Sequence, residues 1–315
     1  MKKKAKPASH PWDSDTLLAK AELYAAKTIE ASRDDWEFGL WASLSFEFLA
    51  RAALAKISPT LLADTKHKWQ HLYYALGHSP STERYVSRSI STGEVLDRLH
   101  EILPAFNKEL KDAALTLAER RNAELHSGDM TFKQSAPDVW LPRYYEASKV
   151  LLYSLGKDLK WLFGPDEADA AEKLLAAAKE NKTKETQKLV AEYLASWHKL
   201  NKVEAQERAA QAKLWATKHE GHRVKCPSCE STAIVVGEAI SAPKKSLDDD
   251  TIIEKQDHLP SKFECIACGL KLSGLSSLVA AGLGATYVST SMYDASEYYA
   301  EDDSAVWEDD NNEPY

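Results

Sequence analysis

Long apolar runs, glycine and cysteine are all scarce in this chain of 315 residues. No stretch approaches the roughly 20 apolar residues that a membrane-spanning helix needs, so no membrane span is expected. With 12 glycines the composition is not collagen-like, and four cysteines are too few for a secreted domain held together by disulfides. The basic residues 1–7 run into polar sequence without an apolar core, which is not the pattern of a secretory signal. A cytoplasmic protein is therefore expected.

Negative charge is concentrated at one end of the chain. The formal net charge is −8, but nine of the 48 acidic residues lie within 294–315, where there is no Lys or Arg. The other acidic residues nearly balance the 40 basic ones, so the net charge does not argue against a nucleic-acid partner. Acidic segments of this kind are usually disordered, and we expect a disordered tail over 294–315. The alternative is a tail that mimics nucleic acid and screens a basic site.

Hydrophobic periodicity divides the rest of the chain into four parts, and the fold class it predicts is mainly α. Residues 1–14 are predicted to be a disordered basic N-terminus. Residues 15–164 are predicted to be a helical bundle around a very apolar central helix at 36–57. Residues 165–221 are predicted to be a helical spacer, or else a surface that packs on the bundle or on a second subunit. Residues 222–293 change to a β-like pattern with a short helix.

Proline, glycine and charge set the predicted limits of several elements. Within the bundle, a long helix is expected to begin at Pro104, and a last helix is expected over 143–163. A break in the spacer is expected at 181–183. The charged segment 243–257 is expected to be a mobile loop.

The four cysteines form two Cys-x-x-Cys pairs, Cys226 with Cys229 and Cys265 with Cys268. Two such turns facing each other supply four thiolates in a tetrahedron, which is the arrangement of a structural zinc site. A thioredoxin-type redox site would need one pair in a βαβ setting, and disulfides are unfavourable in a reducing compartment. A small β zinc ribbon is therefore predicted, and four protein ligands leave no open position for catalysis by the metal.

A polar motif ends the long helix of the bundle, where Arg121, Asn122 and His126 follow one another closely. Asn122 and His126 are four residues apart and share a helical face, and Arg121 is long enough to reach them. These three residues are candidate catalytic residues. The alternative is an exposed Arg with a His that acts only as a cation at the end of a helix.

An acidic residue, Glu47, lies among the apolar residues of the central helix and is the fourth candidate catalytic residue. A carboxylate in a buried position needs a cationic partner. Arg121 is one possible partner. A local pair with Arg51, one helical turn away, is the other.

A bundle whose long helix ends in Arg-Asn-x-x-x-His resembles the HEPN family, the helical domains of many prokaryotic ribonuclease toxins and phage-defence effectors. The segment 44–54, with Glu47 inside it, also resembles the early helix of this family with its acidic residue. Toxins of the family that are silenced by a partner nucleotidyltransferase usually have a Tyr two residues after the His. Gly128 stands there in this chain, so such a partner is not expected.

The resemblance implies a metal-independent endoribonuclease of toxin or anti-phage defence type. His126 would act as acid or base, Arg121 would hold the phosphate, and Asn122 would orient the imidazole or donate to the phosphate. A homodimer would bring two copies of the motif into one cleft. The implied partners are RNA, a second copy of the chain, and a defence-system or phage-derived molecule.

Two other functions fit the same sequence. In one, the protein is a non-catalytic module that binds nucleic acid or protein, with a dimeric helical domain and a zinc ribbon that senses a ligand. In the other, it is a regulator whose acidic tail masks a partner. A basic run at 218–225, just before the first Cys pair, could contact phosphates or be a solvated helix end.

Overall fold

The computed structural model describes residues 10–298, and the chain divides into two compact units, Met1–Glu185 and Thr186–Tyr315. The first unit is helical, and the second combines helices with an antiparallel sheet. The fold is therefore mainly α, as predicted. The predicted disordered N-terminus lies largely outside the described residues, and its last residue, Ser14, already begins the first helix.

The first unit contains seven helices and the beginning of an eighth within its described part. They are α1 Ser14–Glu30, α2 Trp36–Ile57, α3 Gln70–Ala75, α4 Thr92–Ile102, α5 Lys108–His126, α6 Thr131–Gln134, α7 Pro137–Ser154 and α8 Leu159–Trp197. One hydrophobic core joins them, and α2 contributes more buried residues to it than any other helix.

Helix α2 is the centre of the bundle, as its composition predicts. The Asp35 side chain caps its start by accepting a hydrogen bond from the Glu37 N–H at 3.3 Å. By length and composition this helix could cross a membrane, but 72% of its apolar 18-residue window is buried inside the protein. Its apolar surface is therefore already covered by the other helices.

Helix α7 begins and ends before the predicted helix over 143–163, whereas the predicted end at 163 coincides with a kink inside α8, where Gly164 has a φ of 77°. The helix begins at Pro137, where the fixed φ and missing N–H of proline suit the first helical position. It continues through Pro142 and ends at Ser154. Burial of large side chains such as Tyr145, which is 1% exposed, outweighs the backbone hydrogen bond that Pro142 removes.

Helix α5, which ends in the polar motif, begins at Lys108 and not at the predicted Pro104. The Asn107 side chain determines this start, because it accepts a hydrogen bond from the Leu110 N–H at 3.2 Å. The helix ends at His126, so the motif occupies its last two turns.

The segment 165–221, predicted to be a helical spacer or a surface that packs on the bundle, is helical over most of its length. Its first part belongs to the bundle, where Ala168 and Ala171 of α8 are buried in the core. An ion pair also joins α8 to α7, because Lys149 Nζ of α7 lies 2.6 Å from Glu172 Oε1 of α8. The alternative prediction, that this region packs on the bundle, is correct for these residues.

The predicted break at 181–183 is also wrong, because α8 is helical throughout that stretch and ends at Trp197. The chain turns after Trp197, and Asn201 then caps α9, Lys202–Lys218, by accepting a hydrogen bond from the Glu204 N–H at 2.9 Å. Polar residues at 181–183 do not break a helix when no glycine or proline accompanies them.

The second unit is built on an antiparallel sheet whose longest strand, β4, pairs with four others. The strands are β1 His222–Lys225, β2 Thr232–Ala239, β3 Lys244–Asp248, β4 Thr251–Glu264, β5 Lys271–Ser273 and β6 Tyr287–Asp294, with α10 Leu275–Ala280 between the last two. β4 pairs with β2, β3, β5 and β6, while β1 pairs with β2. Helix α9 contacts β2 and buries Ala212 and Ala216.

Two segments predicted to be irregular are part of this sheet. Residues 243–257 form most of the β3–β4 hairpin, in which Lys244 pairs with Lys255 and Asp249 makes the turn with a φ of 49°. The predicted tail begins inside β6, and a short helix, α11 Ala295–Tyr298, follows. Ile252 is buried while charged residues such as Lys244, Lys245 and Lys255 are exposed, so the strands accommodate the charge. The remainder of the predicted tail lies outside the described residues.

Candidate functional site

A cluster of three charged side chains connects α2 to α5 in the first unit. Glu47 lies between Arg51, which is one turn further along α2, and Arg121 of α5. Arg51 Nη2 is 2.9 Å from Glu47 Oε1, and Arg121 Nη1 makes an ion pair with Glu47 Oε2. The two cationic partners considered for Glu47 are therefore both present, one on each carboxylate oxygen.

The backbone and side chains around Arg51 fix the far side of this cluster. Its Nη1 donates hydrogen bonds to Ser89 Oγ at 3.1 Å and to the Ile90 carbonyl at 3.2 Å. These contacts hold Arg51 in place, and through the shared Glu47 carboxylate they also hold Arg121. Sequence reasoning missed Ser89 and Ile90, because nothing in their spacing relates them to α2.

Burial makes the electrostatics of the cluster strong. The side chains of Glu47, Arg51 and Arg121 are 15%, 12% and 10% exposed. Burial lowers the pKa of both arginines from their usual value, yet an arginine stays protonated at any ordinary pH. One carboxylate therefore faces two guanidinium groups, and the cluster keeps one net positive charge in a setting of reduced dielectric.

Arg121 is oriented a second time by its neighbour Asn122. Its Nη2 and Nε donate to Asn122 Oδ1 at 2.8 Å and 3.3 Å. With the bond to Glu47, three of the five guanidinium N–H groups are engaged, and one N–H on each terminal nitrogen stays outside these bonds. The Asn122 oxygen accepts from Arg121, so its amide N–H₂ is the group left for either predicted role, orienting the imidazole or donating to a phosphate.

His126 lies at the exposed end of α5. Asn122 is exposed on the same helical face, one turn earlier. Just beyond, Ser127 Oγ donates to the Ala123 carbonyl at 2.8 Å and thereby closes the helix. The structure thus brings Glu47, Arg121 and Asn122 into contact and leaves the imidazole of His126 facing solvent on the same helix.

The four cysteines of the second unit come together as their spacing predicts. Their Sγ atoms all lie within 4.8 Å of one another, with 3.6 Å between Cys226 and Cys268 and 3.5 Å between Cys229 and Cys265. Four sulfurs at about 2.3 Å from one ion in a tetrahedron lie about 3.8 Å apart. Disulfide bonding would require about 2.05 Å. The cluster therefore has the dimensions to hold a metal ion.

Each Cys pair lies in a tight turn of the same design. The Cys226 N–H donates to the Ser231 carbonyl at 3.0 Å, and the Cys265 N–H donates to the Leu270 carbonyl at 2.9 Å. In each turn, the N–H of the residue that follows the second Cys donates to the carbonyl of the first Cys. That residue is Gly269 in one turn, with a φ of 86°, and Glu230 in the other, with a φ of 59°. A left-handed conformation suits glycine, so Glu230 holds a backbone shape that its Cβ disfavours.

Burial and a hydrogen bond to α8 hold the cysteine cluster in place. Cys226 and Cys265 are buried, and each lies within hydrogen-bond distance of a cysteine of the other pair. The Ser228 hydroxyl, between the first two cysteines, donates to the Val190 carbonyl of α8 at 2.9 Å. A rigid frame of sulfur ligands is what a structural metal ion requires.

No protein-family model, curated protein or solved structure matches the chain. The resemblance to the HEPN family consequently depends on the Arg121-Asn122-x-x-x-His126 motif and on Glu47 in α2.

We expect Glu47→Gln to lower the free energy of unfolding by about 2 kcal/mol, because it leaves two largely buried guanidinium groups without their shared anion, allowing for partial solvent screening. Urea unfolding followed by circular dichroism measures this. Glu119→Gln, an exposed carboxylate on α5, is the matched control and should change stability by less than about 0.5 kcal/mol. Equal stability of the two variants would contradict the structural role of Glu47.

Proposed function

We propose that this protein is a metal-independent endoribonuclease of toxin or anti-phage defence type, working as a homodimer in the cytoplasm. The observation that carries the proposal is the fixed Arg121 guanidinium, held by Glu47 and Asn122 in the same two helical turns as the exposed His126. A permanent cation and a side chain that can both accept and donate a proton are the two components that RNA cleavage without a metal needs.

The reaction assigns one task to each residue. His126 takes the proton of the 2′-hydroxyl, the 2′-oxygen attacks phosphorus, and the bond to the 5′-oxygen breaks, which leaves a 2′,3′-cyclic phosphate. Arg121 offers its remaining N–H donors to the phosphorane oxygens, on which negative charge accumulates. Asn122 adds its amide donor. Glu47 does not touch the substrate in this scheme and acts as a positioning residue for Arg121.

A homodimer follows from the proton balance. The leaving 5′-oxygen needs a proton while the 2′-hydroxyl loses one, and a single imidazole serves both steps less well than a pair. A second copy of His126 in the same cleft would supply that pair. The end of α5 is exposed, which leaves it accessible to a partner subunit.

We further propose that Cys226, Cys229, Cys265 and Cys268 hold one structural zinc ion. The spacing of the four sulfurs and the matched turns support this assignment. Zinc bound by four thiolates supplies folding stability and not catalysis, because it has no open coordination position.

A non-catalytic binding module is the second candidate function, and one observation favours it. Arg121 is only 10% exposed on its side chain and is already paired with Glu47. Such an arginine can be structural, in which case the helical unit would dimerise and the Cys cluster would belong to a ligand-sensing ribbon. The two candidates differ in whether RNA is cut.

Incubation of the purified protein with total RNA in EDTA tests the proposal, because the chemistry belongs to side chains. We expect cleavage to persist through brief EDTA treatment and the 5′ fragments to end in 2′,3′-cyclic phosphate. Substrates with 2′-deoxyribose at the cut site should resist. Cleavage that disappears in EDTA and returns with Mg²⁺ would contradict the proposal, and RNA binding without cleavage would favour the second candidate.

A further inference from the structure

A groove of about 500 Å³, open to solvent, follows α9 in the second unit. One side of it is a face of α9, and the other side is formed by the end of β1 and the turn of the first Cys pair. Trp197, the last residue of α8, also lines it and is half-buried. Every lining residue belongs to the second unit, so the groove is a separate feature from the Glu47–Arg121 cluster.

The face of α9 that lines the groove carries a lysine near each end. Lys202, Gln206, Ala209 and Lys213 follow one another at intervals of four, three and four residues, so they lie along one face of the helix. The small side chain of Ala209 leaves space between the two lysines. At a rise of 1.5 Å per residue, the lysines are about 16 Å apart along the helix axis.

A third lysine, Lys225 of β1, lines the opposite side of the groove. Lys202, Lys213 and Lys225 are all exposed, and within residues 10–298 none of them forms an ion pair. Lys271 of β5, by contrast, is paired with Glu264 at 2.6 Å. Cations of one sign on both sides of a cleft concentrate the electrostatic potential there and attract an anion.

The basic run at 218–225 has only part of its charge free for this groove. Arg223 Nη1 donates to the Gly221 carbonyl at 2.6 Å, and its Nη2 donates to the His219 carbonyl at 2.9 Å. Arg223 therefore holds the chain at the end of α9. Lys225, two residues later, keeps its ammonium group for a ligand in the groove.

We propose that this groove binds single-stranded RNA through its phosphates. The phosphates of a helical strand advance about 3.4 Å per nucleotide, so the distance between Lys202 and Lys213 corresponds to about five nucleotides. A base can stack on the indole of Trp197, while Gln206 and Thr232 offer hydrogen bonds to bases or ribose. A flexible acidic peptide would satisfy the lysines but has no ring to place against Trp197.

The choice of RNA as the ligand rests on the proposed function, and the test is therefore made independent of cleavage. A fluorescent 2′-O-methyl oligouridine of about 12 nucleotides is long enough for the groove, and it cannot be cut through its 2′-oxygen. We expect saturable binding to the full-length protein, measured by fluorescence anisotropy. The logarithm of affinity should fall with the logarithm of salt concentration with a slope of about −2, which is the value for three phosphate contacts on a single strand.

Replacing Lys202, Lys213 and Lys225 together by Gln should weaken binding by about tenfold or more and flatten the salt dependence. The matched control replaces Lys173, Lys179 and Lys188, which are exposed on α8 outside the groove. It removes the same charge and should bind like the wild type. Circular dichroism and zinc content should be unchanged in both proteins, since all six lysines are exposed.

Two single variants keep the test decisive if a triple variant folds poorly. Glu230→Gln removes the carboxylate that lines the groove and should strengthen binding by about twofold or more, whereas Ala210→Glu adds one and should weaken it. Equal losses in the two triple variants, or weaker binding by Glu230→Gln, would overturn the proposal. So would a DNA strand that binds more than tenfold more tightly than the RNA. A polyglutamate peptide that binds as tightly as the RNA would overturn it in favour of an acidic protein partner.

Discussion

His126→Ala and Arg121→Ala should each lower RNA cleavage by about 10²-fold or more, judging from typical losses of acid–base and electrostatic groups. The first variant removes the proton carrier at the end of α5. The second removes the guanidinium that Glu47 and Asn122 hold in place. Single-turnover cleavage of a defined RNA measures both effects, because it separates chemistry from product release.

Matched controls distinguish these roles from a general loss of charge. His198→Ala and Arg208→Ala alter exposed residues of the second unit and should cleave like the wild type. Neither His126→Ala nor Arg121→Ala should change zinc content. His126→Ala is exposed and should also keep its melting temperature, so any loss of activity there is chemical. Full cleavage by the His126→Ala protein would contradict the ribonuclease proposal and favour the binding module.

Mixing the two inactive variants tests the composite site. If both subunits contribute to one cleft, a mixed dimer of the His126→Ala and Arg121→Ala chains contains one complete set of side chains. We expect the mixture to recover part of the activity after subunit exchange. Activity that stays at the level of the separate variants would indicate that each subunit acts alone.

The cysteine cluster could be predicted from the sequence because each half of it is formed by residues that are close together in the chain. Each Cys-x-x-Cys pair forms one turn, and two turns need only face each other. The ion pair of Glu47 could be predicted in part, since a carboxylate on an apolar helix requires a cation. That it has two cations, Arg51 and Arg121, depends on how α2 and α5 cross, which no spacing reveals.

The elements that were mispredicted are those in which tertiary burial outweighs a local signal. Pro142 is inside a helix because its neighbours are buried, and the charged residues 243–257 form strands because β4 supplies a partner.

Loss of one cysteine should have the largest effect on folding, because a structural zinc contributes about 10–16 kcal/mol to the small domains that it organises. Protein purified under reducing conditions should contain about one zinc per chain. Cys265→Ser should lose the zinc and unfold the second unit, since Cys265 is buried with Phe263 and Leu272 in the same hydrophobic cluster. The helices of the first unit have their own core and should persist.

Limited proteolysis with mass mapping measures this outcome directly. In the Cys265→Ser protein the strands of the second unit should become cleavable while the fragment that contains α1 to α7 stays protected. Ile266→Ala lies in the same turn, is 38% exposed in the wild type and should keep its zinc, so it separates the loss of a ligand from a disturbed turn. Less than a tenth of an equivalent of zinc in the wild-type protein would contradict the assignment. So would protection of the second unit in Cys265→Ser, because that variant lacks one of the four thiolates that a tetrahedral zinc site needs.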